Sequence, residues 1–215
     1  MTTMKIMKIM KIMKIMKITP LWVASTLAVV LLLSTSCGRK PVVDDEVAVL
    51  ETSYGRIVIE FLPNVAPKHV ENFKELAREG FYDGTRFHRI VSDRSRRVAI
   101  QGGDPNTING APATWGQGQR GQKTVPSEFS KLKHERGIVS AARRPDDPNS
   151  ATSQFFILAA SHPPFDNQYS IFGRVIEGMN VVDSIVLAPL IPKSEMPADP
   201  VVLTRAYIAK RDEVK

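Results

Sequence analysis

The strongest constraint on this chain is how often turn signals interrupt its β-rich runs. Residues 47–51 and 56–61 are apolar and β-prone, and Thr52-Ser53-Tyr54-Gly55 separates them, which predicts a hairpin. Strands are likewise predicted over residues 85–91, 98–101, 137–142, 154–158, 170–176 and 201–209. Only two stretches carry helical spacing. Pro67 opens the first, Val70, Phe73, Leu76 and Ala77 form its apolar face, and Gly80 closes it. Residues 179–187 after Gly178 form the second, and residues 104–136 read as long loops rich in Gly, Pro, Asn, Gln and Thr. Many short strands without βαβ alternation point to an antiparallel barrel or sandwich rather than a parallel sheet. Eight strands closed on themselves are filled by their own side chains, so a site belongs on the outside or rim.

The formal charge of +7 suggests a nucleic-acid binder, but its distribution argues against one. Residues 1–36 hold five lysines and no acid; the 29 basic residues less these five leave 24 against 22 acidic, a net of +2. An apolar fraction of 43% over 215 residues is enough for a buried core. The single cysteine, Cys37, excludes an internal disulfide framework and a cysteine-rich metal site.

The N-terminus reads as an address. Residues 4–18 repeat Met-Lys-Ile five times, a period that holds no face of a helix. The uncharged run 21–33 is too short for a comfortable membrane span and suits a signal core. Ser34, Thr35, Ser36 and Cys37 follow. The whole resembles a bacterial lipoprotein signal, which implies that Cys37 becomes the lipidated first residue of the mature protein. Ser34 stands where that family usually has leucine, and Gly38 implies the outer membrane. The expected organisation is a signal over 1–36, a lipidated polar tether over 37–46, and one domain over 47–215. The expected location is the bacterial cell envelope on its periplasmic side, with the membrane reached only through this lipid.

Most chemical signatures are absent or weak. Gly116-Gln117-Gly118-Gln119-Arg120-Gly121 matches a dinucleotide fingerprint letter for letter, but no strand precedes it and no helix follows, so it reads as a flexible loop. The histidines (His69, His88, His134, His162) have no metal-ligand spacing, so no metal and no cofactor is expected. No nucleophile elbow occurs, and no cysteine–histidine nucleophile is plausible.

Five ordered blocks carry a resemblance instead. They are Phe87-His88-Arg89; Gln101-Gly102-Gly103-Asp104-Pro105; residues 132–137; Ser153-Gln154-Phe155-Phe156-Ile157; and Tyr169-Ser170-Ile171-Phe172-Gly173. Together with residues 67–84, they resemble the cyclophilin-type peptidyl-prolyl isomerases over about residues 47–208. The resemblance implies a mainly β fold, a closed eight-stranded antiparallel β-barrel capped by two α-helices. It implies peptidylprolyl isomerase activity (EC 5.2.1.8) in a monomer acting on proline-containing polypeptides. Arg89 matches the family's catalytic arginine. Gln101, Ala142, Phe156, Phe165 and Tyr169 match its substrate-binding positions, and Val98 and Ala99 stand at two pocket positions that are larger in the family. The link holding Ser92, Asp93, Arg94, Ser95, Arg96 and Arg97 is longer than usual. Arg94, Arg96 and Arg97 could form a basic finger, although a solvated loop is the simpler account. Pro164 replaces a tryptophan of many eukaryotic members, which implies weak cyclosporin binding. The trimmed Val98 and Ala99 leave a second reading open, a catalytically weak module that binds proline-containing segments.

Overall fold

The computed structural model describes residues 44–214. Their strands are β1 (Glu46–Thr52), β2 (Gly55–Phe61), β3 (Arg89–Asp93), β4 (Arg96–Gly102), β5 (Ile138–Ala141), β6 (Phe155–Leu158), β7 (Ile171–Glu177) and β8 (Leu203–Lys210). Helices α1 (Pro67–Arg78) and α3 (Met179–Val186) are the two read from the sequence. Between them lies α2 (Asn106–Asn109), one turn inside the segment expected to be loop. The lipidation candidate Cys37, the Met-Lys-Ile tract and the apolar run lie outside the described residues. Among the described residues, no helix is long and apolar enough to cross a membrane.

All ladders are antiparallel, in the order β3-β4-β6-β5-β7-β2-β1-β8. The expectation of a closed barrel is corrected here: the sheet curls, but no ladder joins its edges, β3 and β8. The seam carries a single bridge, Arg86 with Val202, and three flanking bonds: Gly84 N–H to Leu203 O, Leu203 N–H to Thr85 O, and Phe87 N–H to Val201 O. Edge donors beyond the seam have other partners. The Ala206 N–H is taken by the Asp83 carboxylate at 2.8 Å and the Ile90 N–H by the Glu195 carbonyl at 2.7 Å. With those donors satisfied, the two strands gain little from pairing further. The strand expected over residues 85–91 begins only at Arg89, since the Thr85 N–H goes to the Tyr82 carbonyl and the Arg86 N–H to Thr107 Oγ1.

The interior of the curl is aromatic. Phe73 on α1 packs against Phe61, Tyr82, Phe155 and Phe172 at centroid distances of 4.9–5.9 Å. Each such buried ring contributes on the order of 1.5–3 kcal/mol by leaving water. Helix α1 has Pro67 in its first turn and no local side-chain cap. Glu128, far along the chain, accepts the Lys68 and His69 N–H groups instead, which answers the orphan donors of the helix start. Helix α3 closes over β4 and β2 with Val181, Val182 and Ile185 buried.

The long link after Arg89 is a two-residue hairpin turn. Asp93 pairs with Arg96, Arg94 has φ 55°, and a bulge falls between Val91 and Ser92. Its arginines are placed differently. Both NH1 contacts of Arg97, at 2.8 Å, go to the Val186 and Ala188 carbonyls at the C-terminal end of α3, where a cation is favoured. Arg94 and Arg96 stay exposed.

Candidate active site

Strand register assembles the site. Gln101 on β4 is the partner of Arg89 on β3 and of Phe156 on β6, and Phe156 is in turn the partner of Ser140 on β5. Directly opposed residues share a face of the sheet, so the four form a row across it. With strands about 4.8 Å apart, Arg89 and Phe156 start about 10 Å from one another, a span suited to one proline ring and its amide.

The polar end of the row is a chain of oriented bonds. Arg89 NH1 donates to Gln101 Oε1 at 3.3 Å, Gln101 Nε2 donates to Gln154 Oε1 at 3.0 Å, and Gln154 Nε2 donates to the Gly116 carbonyl at 3.0 Å. The chain fixes which way both amides face. Arg89 Nε also donates to Glu195 Oε2 at 2.7 Å. Gly103 is required just beyond Gln101: its φ is 81°, and a Cβ there would stand 2.7 Å from the Ser153 carbonyl. Asp104, fully buried, accepts the Gly116 N–H at 2.5 Å and the Asn106 N–H at 3.0 Å. The loop with the fingerprint-like glycines is therefore a fixed wall beside Gln154, with neither strand before it nor helix after it.

The apolar end is a cage of rings. Phe156 meets Phe165 at 5.4 Å and Tyr169 at 5.1 Å, both edge-on, and lies nearly parallel to His134 at 6.3 Å. Arg143 covers Tyr169 at 5.0 Å. Ala99, Leu158 and Ile171 are buried beneath, with Ala142, Phe165 and Tyr169 packed on them. The fold thus gathers Gln101, Ala99, Ala142, Phe156, Phe165 and Tyr169 around one face. Val98 is 1% exposed and lies outside that cluster, at the bulge, where its carbonyl accepts the Ala159 N–H.

Several neighbours were not legible as site residues. Ser140 Oγ stands 3.2 Å from His134 Nε2, and His134 Nδ1 stands 3.2 Å from Asp166 Oδ1. The order resembles a nucleophilic triad, but Ser140 is 0% exposed, so no substrate reaches it. Burial holds the His134 imidazole below the usual histidine range, against the pull of Asp166. Asp166 is drawn down to about 2 by the His134 backbone N–H and then by Lys133. The neutral ring accepts the Ser140 hydroxyl and donates to Asp166, locking the plane on which Phe156 rests. Gln154 sits inside a quoted sequence block but gave no sign of reaching Gln101. Glu195 gave no signal at all, since it comes from a proline-rich loop distant in sequence.

Comparison with known proteins identifies the family. A family model described as cyclophilin type peptidyl-prolyl cis-trans isomerase/CLD matches residues 47–208. A probable peptidyl-prolyl cis-trans isomerase of Brucella abortus is 36% identical over 172 residues, covering 76% of this chain and 85% of that protein. Peptidyl-prolyl cis-trans isomerase-like 1 of Bos taurus is 37% identical over 164 residues, covering 74% and 89%. The crystal structure of a Cryptosporidium parvum cyclophilin type isomerase in the presence of the dipeptide Ala-Pro superposes with a TM-score of 0.65 at 30% identity, covering 77% of this chain and 99% of that one. Since the similarity runs the length of the curled sheet, the chain belongs to the cyclophilin-type peptidyl-prolyl cis-trans isomerases, enzymes of class EC 5.2.1.8.

Proposed function

We propose that Arg89 is the catalytic group and that the Phe156 cage receives the proline ring. The observation that carries this reading is the single ladder row joining Arg89, Gln101 and Phe156. Turning an X–Pro bond breaks amide resonance against a barrier of about 20 kcal/mol, with no bond to carbon made or lost. Rotation therefore calls for neither a nucleophile nor a metal. In the half-turned state the prolyl nitrogen regains its lone pair, and a donor there binds that state better than the planar amide. Arg89 is permanently charged and needs no titration step. One charge-assisted bond supplies about 1.5–3 kcal/mol, one to two decades of rate. Burial of the ring against Phe156, Phe165, Tyr169 and Ala142 adds affinity, with Ala99 buried under them as support. Gln101 has its carbonyl on Arg89 and one N–H on Gln154, so its main task is to hold the arginine. Magnetisation exchange on an X–Pro peptide tests the reading: it is accelerated by the wild type and not by Arg89→Ala, and an unaccelerated wild type refutes it.

We propose further that the enzyme is exported and serves the folding of proteins in the bacterial envelope, where slow X–Pro steps take tens of seconds unaided. Support comes from the basic repeat, the apolar run 21–33 and Cys37. The mature protein then starts at Cys37 with acyl mass on it, and mass spectrometry of that N-terminus decides.

A further inference from the structure

The loop between α3 and β8 is built to deliver one residue. Leu190 pairs with Pro197, the Ile191 N–H donates to the Met196 carbonyl at 2.9 Å, and the Ala198 N–H donates to the Pro189 carbonyl at 2.8 Å. The Ser194 N–H closes the turn onto the Ile191 carbonyl at 3.0 Å, with Lys193 at φ 62°. Pro189, Pro192 and Pro197 each fix a backbone angle. This stiff ribbon docks on the free edge of β3 through Glu195 alone, by three bonds of 2.7 Å. The Glu195 carbonyl accepts the Ile90 N–H, Oε1 accepts the Ser92 N–H, and Oε2 accepts the Arg89 Nε–H.

A guanidinium has five N–H donors in one plane. Glu195 holds the Nε–H and Gln101 one hydrogen of NH1, which leaves three donors for substrate. A single anchor lets the fork swing about it; two anchors on different nitrogens fix its plane. The side chain of Arg89 is 48% exposed, so packing alone does not hold it. Resting on the reading of Arg89 as the catalytic group, we infer that Glu195 is a positioning residue that sets the plane in which this guanidinium meets the prolyl amide. The interaction it supports is made chiefly in the half-turned state, so its loss lowers kcat and spares KM.

The test uses the full chain with Glu195→Ala, which removes both carboxylate bonds, and Glu195→Gln, which keeps one acceptor oxygen. On an Ala-Pro peptide, kcat falls about tenfold in Glu195→Ala and less in Glu195→Gln, with KM within about twofold, the scale of one charge-assisted bond. In ¹⁵N-labelled protein, the Arg89 Nε–H signal, identified by its loss in Arg89→Lys, exchanges with water at least about tenfold faster in Glu195→Ala. A residue that only braces the loop lowers the melting temperature and leaves kcat and the Nε–H unchanged; that result overturns the inference. A wild type that fails to accelerate exchange overturns the catalytic reading instead, and the Nε–H signal then still decides whether Glu195 holds Arg89.

Discussion

Gln101 faces Arg89 directly across the β3–β4 ladder and accepts its NH1 hydrogen at 3.3 Å. The bond is long for a charge-assisted one, and it is oriented from behind by Gln154. Gln101→Ala removes that anchor and leaves the Gln154 amide without its partner. A loss of about 1 kcal/mol at the guanidinium corresponds to a five- to tenfold fall in kcat/KM. Gln154→Ala, which leaves Arg89 and Gln101 in place, is expected to cost about half as much on the same free-energy scale. Peptide exchange rates measured on both variants check the order; equal, wild-type rates contradict the chain of amides.

Phe156 packs on three rings and is 3% exposed, so it supports the fold as well as the site. Phe156→Ala is expected to destabilise by about 3–5 kcal/mol, enough to confuse loss of activity with loss of fold. Phe156→Leu keeps most of the volume and costs about 1.5 kcal/mol or less. It removes the flat face, so peptide KM rises severalfold while the urea midpoint falls much less than in Phe156→Ala. A wild-type KM in this variant contradicts a proline seat on that ring.

The legible parts of the molecule were the local ones. The first hairpin, both longer helices and most strands follow from period and turn chemistry. The blocks that carry the resemblance hold Arg89, Gln101 and Phe156, and what no block displays is that the ladders set the three opposite one another. What was missed depends on distance along the chain. The start of α1 is capped by Glu128, and the Arg89 fork is held by Glu195, each through a pairing that no window of sequence displays. The closed barrel failed for a similar reason: Asp83 and Glu195 satisfy edge donors that a ladder would otherwise use. The Ser92-to-Arg97 stretch showed its extra length in the sequence, but its bulge and its Arg97–α3 bonds are tertiary facts that no window displays.

The start of the domain is fastened by a buried lysine. Lys74 Nζ on α1 lies 2.5 Å from Asp44 Oδ2 and 2.7 Å from Glu46 Oε2. Burial acts against its charge, and the two carboxylates outweigh it, so its pKa is raised. Replacing both partners in Asp44→Ala/Glu46→Ala strands a buried ammonium and should cost about 1–3 kcal/mol. The acids are partly exposed, which keeps the figure below that of a fully buried pair. Lys74→Met removes the charge with its own desolvation cost and should change stability by less than about 1 kcal/mol. Urea midpoints in that order support the argument, and the reverse order refutes it.

Acid sensitivity near neutrality follows from three imidazoles. Burial is the leading influence on His69, His88 and His134, and it holds each below the ordinary histidine range. The unfolded chain takes up these protons near pH 6.5 while the folded chain still resists them. Their contribution is therefore fully present above about pH 6.5 and declines as pH falls below it. The carboxylates of Asp44, Glu46, Glu60, Asp166 and Asp183 are all lowered, so theirs is lost only below about pH 4.5, outside this window. The urea midpoint should drop between pH 7.5 and pH 5.5 with an unchanged m-value. His134→Gln, less stable at pH 7.5, should show a smaller drop, since one of the three proton-resisting rings is gone. A wild-type midpoint that is flat or rises over this interval contradicts the assignment of neutral, buried histidines.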